Sequence, residues 1–217
     1  PRFPPLVLIG FDVDQTLWQN TPARIHAIRT EIYQEISTRT GVTHKEAAEG
    51  FEKRYAELNS ASSVFRSYGI TENPQEIMRD CMDRANIAAF LTPDKTLRHV
   101  LTRIKNRDDH PTLAVITDGR RANTLDKIHA LGLTNIFTEF ACWDTYSENK
   151  SNGLIFPHLR QKYQASADQL LMIGDRESDD IKRAHADGWK TIHLSEKPSS
   201  LATAHIRNIT ELEILLL

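Results

Sequence analysis

Leu6-Val7-Leu8-Ile9-Gly10-Phe11 is an unbroken apolar run that stops at an acidic cluster, the pattern of a strand buried on both faces within a parallel sheet. From Thr21 the period changes. Thr21-Pro22 supplies an N-cap and a proline at the first helical position, and Ile25, Ile28, Ile32 and Ile36 follow at helical spacing until Gly41. Thr43-His44-Lys45-Glu46 is a capping box ahead of Ala47, Phe51, Tyr55 and Leu58. Asn73-Pro74-Gln75-Glu76 opens a further helix carrying Ile77, Met78, Cys81 and Ala85. Strand and helix then alternate. Thr92-Pro93 caps a helix with Leu97, Val100, Leu101 and Ile104; Leu113 to Ile116 is a strand; a helix through Leu125, Ile128 and Leu131 closes at Gly132. A short strand within Phe137 to Trp143, a helix from Leu159 to Tyr163, a strand from Leu170 to Ile173, a helix from Ile181 to Ala186 and a last strand from Thr191 to Leu194 complete the pattern.

This order predicts an α/β fold, a doubly wound parallel sheet with an all-helical insertion after the first strand. The expected division is a core formed by residues 1–18 and 91–217 and a helical cap formed by residues 19–90. The 217 residues suffice for one sizeable core plus such an accessory unit.

Charge narrows the partners. Lys and Arg number 27 against 29 Asp and Glu, for a formal net charge of -2, so nothing points to a nucleic acid polymer or an anionic membrane surface. An anionic ligand would therefore need a few placed cations or backbone N–H groups. The longest apolar runs, Leu6 to Ile9 and Ile214 to Leu217, are too short to span a bilayer. The start, Pro1-Arg2-Phe3-Pro4-Pro5, lacks the build of a signal peptide and the initiator Met, which suggests processing or trimming. Cys81 and Cys142 stand in no metal-ligand spacing and are expected as buried thiols. The expected location is cytoplasmic, and the oligomeric state stays open. Leu215 to Leu217 either finish the core or mark a truncated tail.

Open α/β sheets bind ligands at the carboxyl ends of their strands. Past the first strand comes Asp12-Val13-Asp14-Gln15-Thr16, past the second Thr117-Asp118-Gly119, and past the fourth Gly174-Asp175-Arg176-Glu177-Ser178-Asp179-Asp180; Lys150 precedes the helix at 159. Asp12 and Asp14 repel each other unless a cation or shared proton intervenes, and Asp175 offers a third oxygen from a neighbouring strand. Oxygen-only ligation of this kind suits Mg²⁺. One carboxylate can then attack phosphorus while the other moves protons. Thr117, Asp118 and Gly119, through hydroxyl and backbone N–H groups, and Lys150 would hold the phosphoryl oxygens. Singly, each feature has an ordinary structural explanation; their joint placement at successive strand ends is what points to phosphoryl transfer.

Phe11-Asp12-Val13-Asp14-Gln15-Thr16-Leu17, Ile116-Thr117-Asp118-Gly119, Lys150 and Gly174-Asp175 with Asp180 resemble the four motifs of the haloacid dehalogenase (HAD) superfamily, over nearly the whole chain. The resemblance implies Asp12 as nucleophile, Asp14 as general acid/base, and Thr117 and Lys150 on the phosphate. It implies Mg²⁺ held by Asp12, the Asp14 carbonyl and Asp175. Asp179 and Asp180 both fit the end of the fourth motif, and the adjoining Ile181 favours Asp180, acting through metal-bound water. Asp14 argues for phosphate chemistry over dehalogenation. The implied function is Mg²⁺-dependent hydrolysis of a small-molecule phosphate ester, a nucleoside monophosphate among the candidates. Alternatives are a sugar-phosphate phosphatase or phosphomutase, and a catalytically silent ligand-binding domain. Arg54 to Leu58, Tyr68-Gly69-Ile70 and Leu91 to Arg98 are similar to the pyrimidine 5′-nucleotidase branch, which usually has Asn at the positions of Gln15 and Asp118 and Lys-Pro where Lys150-Ser151 stands. Such a cap closes over the site and selects the leaving group, with Trp18 and Arg24 as substrate-contact candidates; Trp18 would either stack on the substrate or pack between cap and core.

Overall fold

The computed structural model describes residues 3–197 and 199–217; Pro1 and Arg2, on which the reading of the chain's start partly rests, lie outside the described residues, as does Pro198. The chain divides into two units, Pro1–Gln19 with Leu91–Leu217, and Asn20–Phe90.

The first unit is built on β1 (Leu8–Phe11), β2 (Thr112–Ile116), β3 (Glu139–Ala141), β4 (Leu170–Gly174), β5 (Lys190–Leu194) and β6 (Ala204–Ile206). Their order is β3-β2-β1-β4-β5-β6 and every pairing is parallel. The fold is the expected α/β class. β1 sits between β2 and β4, with Phe11 opposite Val115 on one side and Ile173 on the other. The chain leaves β1 toward β2 and β3, then returns to β4 on the far side of β1. That reversal opens a crevice at the carboxyl ends of β1 and β4.

In the helical unit, α1 (Pro22–Thr40) begins at Thr21, whose hydroxyl accepts the Arg24 N–H at 3.3 Å, and ends at Gly41 with φ 77°. α2 (His44–Leu58) carries the complete Thr43–Glu46 capping box. α3 (Ala61–Ser67), capped by Ser60, and α4 (Pro74–Arg84) follow. Asn73 precedes Pro74 in the left-handed region without a side-chain cap bond. Ile32, Ile36, Phe51, Val64, Phe65 and Cys81 form this unit's own core. Ile25 and Leu58, the outer members of their expected stripes, are exposed.

In the α/β unit α5 (Lys95–Lys105) is capped by Asp94, which accepts the Leu97 N–H at 2.9 Å, two residues beyond the Thr92 expected from sequence. α6 (Arg121–Ala130) buries Thr124, Lys127 and Ile128 and leaves Leu125 exposed, so the helix is rotated from the stripe the leucine suggested. α7 (Ile155–Lys162) precedes β4, and one π-helical turn, Glu177–Ile181, leads into α8 (Lys182–Ala186). β6 was not expected; three residues with only Ile206 buried carry no readable period. α9 (Leu212–Leu216) buries Leu212 and Leu216 and turns Ile214 outward; of the three terminal leucines only Leu216 joins the core, and Leu217 is exposed.

Alternation within the strands assigns the faces. Leu8, Ala114, Ile116, Leu170 and Met172 pack against Ile155, Phe156 and Leu159 of α7, Ala184 of α8, and Trp189. Ile9, Phe11, Val115, Leu171 and Ile173 point the other way and are equally buried. Cys81 and Cys142 are buried free thiols, pushed up to about 12 and about 11 by burial. Among the described residues no helix is long and apolar enough to cross a membrane.

Phe156 is fully buried with its ring at the edge of Trp189, centroids 5.3 Å apart. Phe156→Ala is expected to cost about 3–5 kcal/mol in chemical denaturation through the cavity it leaves; a loss under about 1 kcal/mol would show that α7 repacks freely over the sheet.

Candidate active site

The carboxyl end of β1 delivers Asp12 to the β1/β4 crevice, its backbone N–H donating to the Ile173 carbonyl at 2.9 Å. Its side chain is buried. Lys150, equally buried, reaches it from the loop before α7; the ammonium donates a short hydrogen bond to Asp12 Oδ1 and stands 2.7 Å from Asp180 Oδ1. The second contact is an ion pair outside hydrogen-bonding angles. Asp175, the first residue past β4, completes the group: one carboxylate oxygen each from Asp12, Asp175 and Asp180 lies within 4.8 Å of the others.

Two features seat Asp180. The π-helical turn brings it back under β4, where Oδ2 accepts the Arg176 N–H at 2.9 Å. Gly174 makes room, since a Cβ there would stand 2.2 Å from Asp180 Oδ2. Asp179 turns elsewhere and pairs with Arg176 at 3.1 Å. On β5, His193 Nε2 lies 3.0 Å from the Asp175 carbonyl, which requires that nitrogen to carry the proton and donate.

Three carboxylates around one ammonium leave an excess of buried negative charge. Burial pushes Asp12 well above the usual carboxylate range; Lys150 opposes this, while Asp180, Asp175 and Asp14 add to it. Burial, then Asp180, raises Asp175 to about 6. Burial alone would depress Lys150, but Asp12, Asp180 and Asp118 outweigh it and hold the ammonium well above its ordinary value. Asp175 Oδ1 is buried with no hydrogen-bond partner. An unpartnered carboxylate oxygen facing two further carboxylates is the donor set a hard divalent cation takes. The residues fit Mg²⁺.

The other expected residues divide. Thr117 is buried at the end of β2, and its Oγ1 accepts the Gly119 N–H at 3.2 Å, which leaves the hydroxyl hydrogen to donate. The Asp118 carboxylate accepts the backbone N–H groups of Lys150 at 3.1 Å and Ser151 at 3.3 Å and a short bond from the Ser151 hydroxyl. It thus pins the loop that carries Lys150. A proline at 151 could supply neither Ser151 donor. Asp14 stands outside the carboxylate group: its Oδ1 accepts from Lys127 Nζ at 2.6 Å and from Trp18 Nε1 at 3.1 Å. Trp18 is buried. Arg24 belongs to the helical unit, where it donates to the Phe90 carbonyl at 2.9 Å.

Lys127 is the residue sequence reasoning missed. Its signal was present: Thr124, Lys127, Ile128 and Leu131 share the i, i+3, i+4, i+7 spacing of a buried stripe, with a lysine inside it. A polar pocket of about 250 Å³, lined by Gln15, Gln19, Asp175, Ser195, Glu196 and Arg207, opens beside Asp175. A larger recess, about 910 Å³, lies at the opposite end of the sheet between α5 and the C-terminal segment, away from the carboxylates.

Residues 9–194 match the family of haloacid dehalogenase-like hydrolases. The chain is 25% identical over 210 residues to a phosphoglycolate phosphatase of Aliivibrio fischeri, covering 89% of this chain and 86% of the relative. It is 26% identical over 191 residues to a glyceraldehyde 3-phosphate phosphatase of Pyrococcus abyssi, covering 85% and 79%. The crystal structure of a HAD phosphatase from Thermococcus onnurineus superposes with a TM-score of 0.66 at 19% identity, covering 96% of this chain and 97% of that one. The pyrimidine 5′-nucleotidase branch expected from sequence finds no support in these relatives. The residues behind that expectation serve local packing: the Arg54 guanidinium lies 4.2 Å over the Tyr68 ring, Tyr55 stacks on Phe51, and Asp94 caps α5.

Asp175 is an acid whose folded value, about 6, lies above its ordinary one. Its ionised form therefore destabilises the metal-free fold fully above pH 6, and the penalty fades as pH falls toward 4. In chelator at pH 8, Asp175→Asn is expected to melt higher than wild type by on the order of 1–2 kcal/mol, the gap closing below pH 5. Thermal melts across that range check it; a pH-independent gap would remove the assignment.

Proposed function

This chain belongs to the haloacid dehalogenase-like hydrolase family and is a phosphatase of it; from that premise we propose that it hydrolyses a small phosphomonoester through an aspartyl-phosphate on Asp12. The observation that carries the reading is Asp12 itself, a buried carboxylate at the switch point of the sheet, held by Lys150 and grouped with Asp175 and Asp180.

Asp12, Asp175 and Asp180 would hold Mg²⁺, with the Asp14 backbone carbonyl as a further oxygen. Bound there, the ion supplies Lewis acidity and offsets the negative charge that separates carboxylate from phosphate. The remaining work belongs to the chain. Asp12 attacks phosphorus with the oxygen that the Lys150 ammonium orients. Lys150 and the Thr117 hydroxyl, with backbone N–H groups of the Asp118-Gly119 turn, neutralise the phosphoryl oxygens as charge develops on them. Asp14 gives a proton to the leaving oxygen as its bond to phosphorus breaks, then takes one from the water that displaces Asp12. Asp118 acts on the same step from behind, by fixing the loop that carries Lys150.

The substrate we favour is a short phosphorylated acid or aldehyde, in line with the names of the relatives, ahead of a nucleotide. The two buried free thiols suit a reducing compartment such as the cytoplasm.

Phosphate release from 2-phosphoglycolate, glyceraldehyde 3-phosphate, hexose phosphates and nucleoside monophosphates, with Mg²⁺ or with chelator, tests the proposal. Release is expected only with metal, and Asp12→Asn is expected to lower it at least ~10⁴-fold without loss of the fold. A wild-type-like rate in Asp12→Asn would sink the aspartyl-phosphate. Conversion of a sugar phosphate to its isomer, with no free phosphate, would turn the assignment to a mutase.

A further inference from the structure

Lys127 is the most deeply buried ammonium outside the Lys150 group described above: its side chain is 3% exposed and its Nζ stands 2.6 Å from Asp14 Oδ1. A lysine is kept in such a place only with a partner for its charge. The partner here is the residue assigned to move the proton. Trp18 supplies a second donor to the same oxygen, Nε1 to Oδ1 at 3.1 Å, and its ring centroid lies 5.8 Å from the ammonium. The chain reverses just past Asp14, with Gln15 at φ 67°, and Asp14 and Trp18 form an isolated β-bridge. Backbone turn, indole and ammonium thus converge on one oxygen of one carboxylate. The Asp14 side chain remains 31% exposed, unlike those of Asp12 and Asp180.

We propose that Lys127, with Trp18, is a positioning residue that clamps Asp14 Oδ1 and so presents Oδ2 to the substrate's leaving oxygen. The inference rests on the reading above that Asp14 is the general acid. In the first half-reaction the Asp14 Oδ2–H bond breaks and its proton goes to the ester oxygen, while the phosphorus–oxygen ester bond breaks and the Asp12–phosphorus bond forms; the alcohol leaves neutral. In the second, a water proton passes to Oδ2 as the water oxygen bonds to phosphorus and the Asp12–phosphorus bond breaks. Both transfers use the same oxygen in the same place. Two donors on Oδ1 hold the carboxyl plane, whereas a single donor would let it swing about χ2. Lys127 touches neither phosphate nor leaving group in this scheme, and its effect passes through Asp14.

A proton donor matters in proportion to how poor the leaving group is. The test is kcat/KM with Mg²⁺ for a series of aryl phosphates from p-nitrophenyl to phenyl phosphate, in wild type, Lys127→Met, Lys127→Arg, Trp18→Phe and Asp14→Asn. This ratio reports the steps through leaving-group departure and is blind to the second half-reaction. Wild type is expected to depend weakly on the leaving group and Asp14→Asn steeply. Lys127→Met should steepen the dependence in the same direction as Asp14→Asn, its loss on phenyl phosphate exceeding its loss on p-nitrophenyl phosphate by roughly 10- to 100-fold. Lys127→Arg, which keeps the charge and a donor, should recover much of that loss, and Trp18→Phe should show a smaller effect in the same direction. Parallel lines for wild type and Lys127→Met beside a steep Asp14→Asn would overturn the proposal and leave Lys127 a packing residue. If Lys127→Met does not fold, a wild-type slope in both Lys127→Arg and Trp18→Phe would overturn it equally. Absence of Mg²⁺-dependent release by wild type would instead sink the phosphatase reading, and a flat Asp14→Asn line the role of Asp14.

Discussion

A single ammonium, Lys150, stands among buried carboxylates that it only partly neutralises. Burial makes each of those charges expensive, and the cost falls only when a proton or a further cation enters the group. This imbalance organises the α/β unit around it. Gly174 has no side chain because Asp180 occupies the space a Cβ would take. A π-helical turn replaces regular helix where Asp180 must fold back onto its own strand. β5 contributes an imidazole to hold the Asp175 carbonyl. Each of these local irregularities serves to keep like charges close together.

The parallel sheet makes that crowding possible. With every strand pointing the same way, all the strand ends face one edge, and the 3-2-1-4-5-6 order sets the end of β1 beside that of β4. Residues separated by 163 positions, Asp12 and Asp175, become neighbours without any contact of their own to bring them there. The rigidity comes from the doubly buried strands and their helices. The helical unit has a separate core around Phe51 and Phe65, so substitutions in either unit act first on that unit's own packing.

Much of this was legible in the residue pattern, and the reasons are physical. Doubly buried strands are nearly continuous apolar runs, so β1, β2, β4 and β5 announced themselves; β6, short and half-exposed, did not. Caps made by side chains, as at Thr21 and Thr43, were readable, whereas Asp94 was hidden behind the more conspicuous Thr92-Pro93. The carboxylates and Lys150 were found because chemistry at strand ends has a fixed address in this architecture. Lys127 was overlooked because a lysine on a helix is ordinarily read as solvated, and only its register with Thr124 and Ile128 says otherwise. The fate of the Asp118 side chain was also unreadable: nothing in its own neighbourhood says that its partners lie 32 residues away.

The Asp118–Ser151 contact has a consequence for how these two positions can vary. They are energetically coupled, so the effect of changing one depends on the state of the other. With Ser at 151, an amide or a carboxylate at 118 finds donors. With Pro at 151 two of the three donors vanish, and a carboxylate at 118 keeps only the Lys150 N–H. Asp118→Asn and Ser151→Pro are therefore expected to be non-additive, the cost of each set by the residue at the other position. Two positions on different loops are thereby tied into one energetic unit through the segment that carries Lys150.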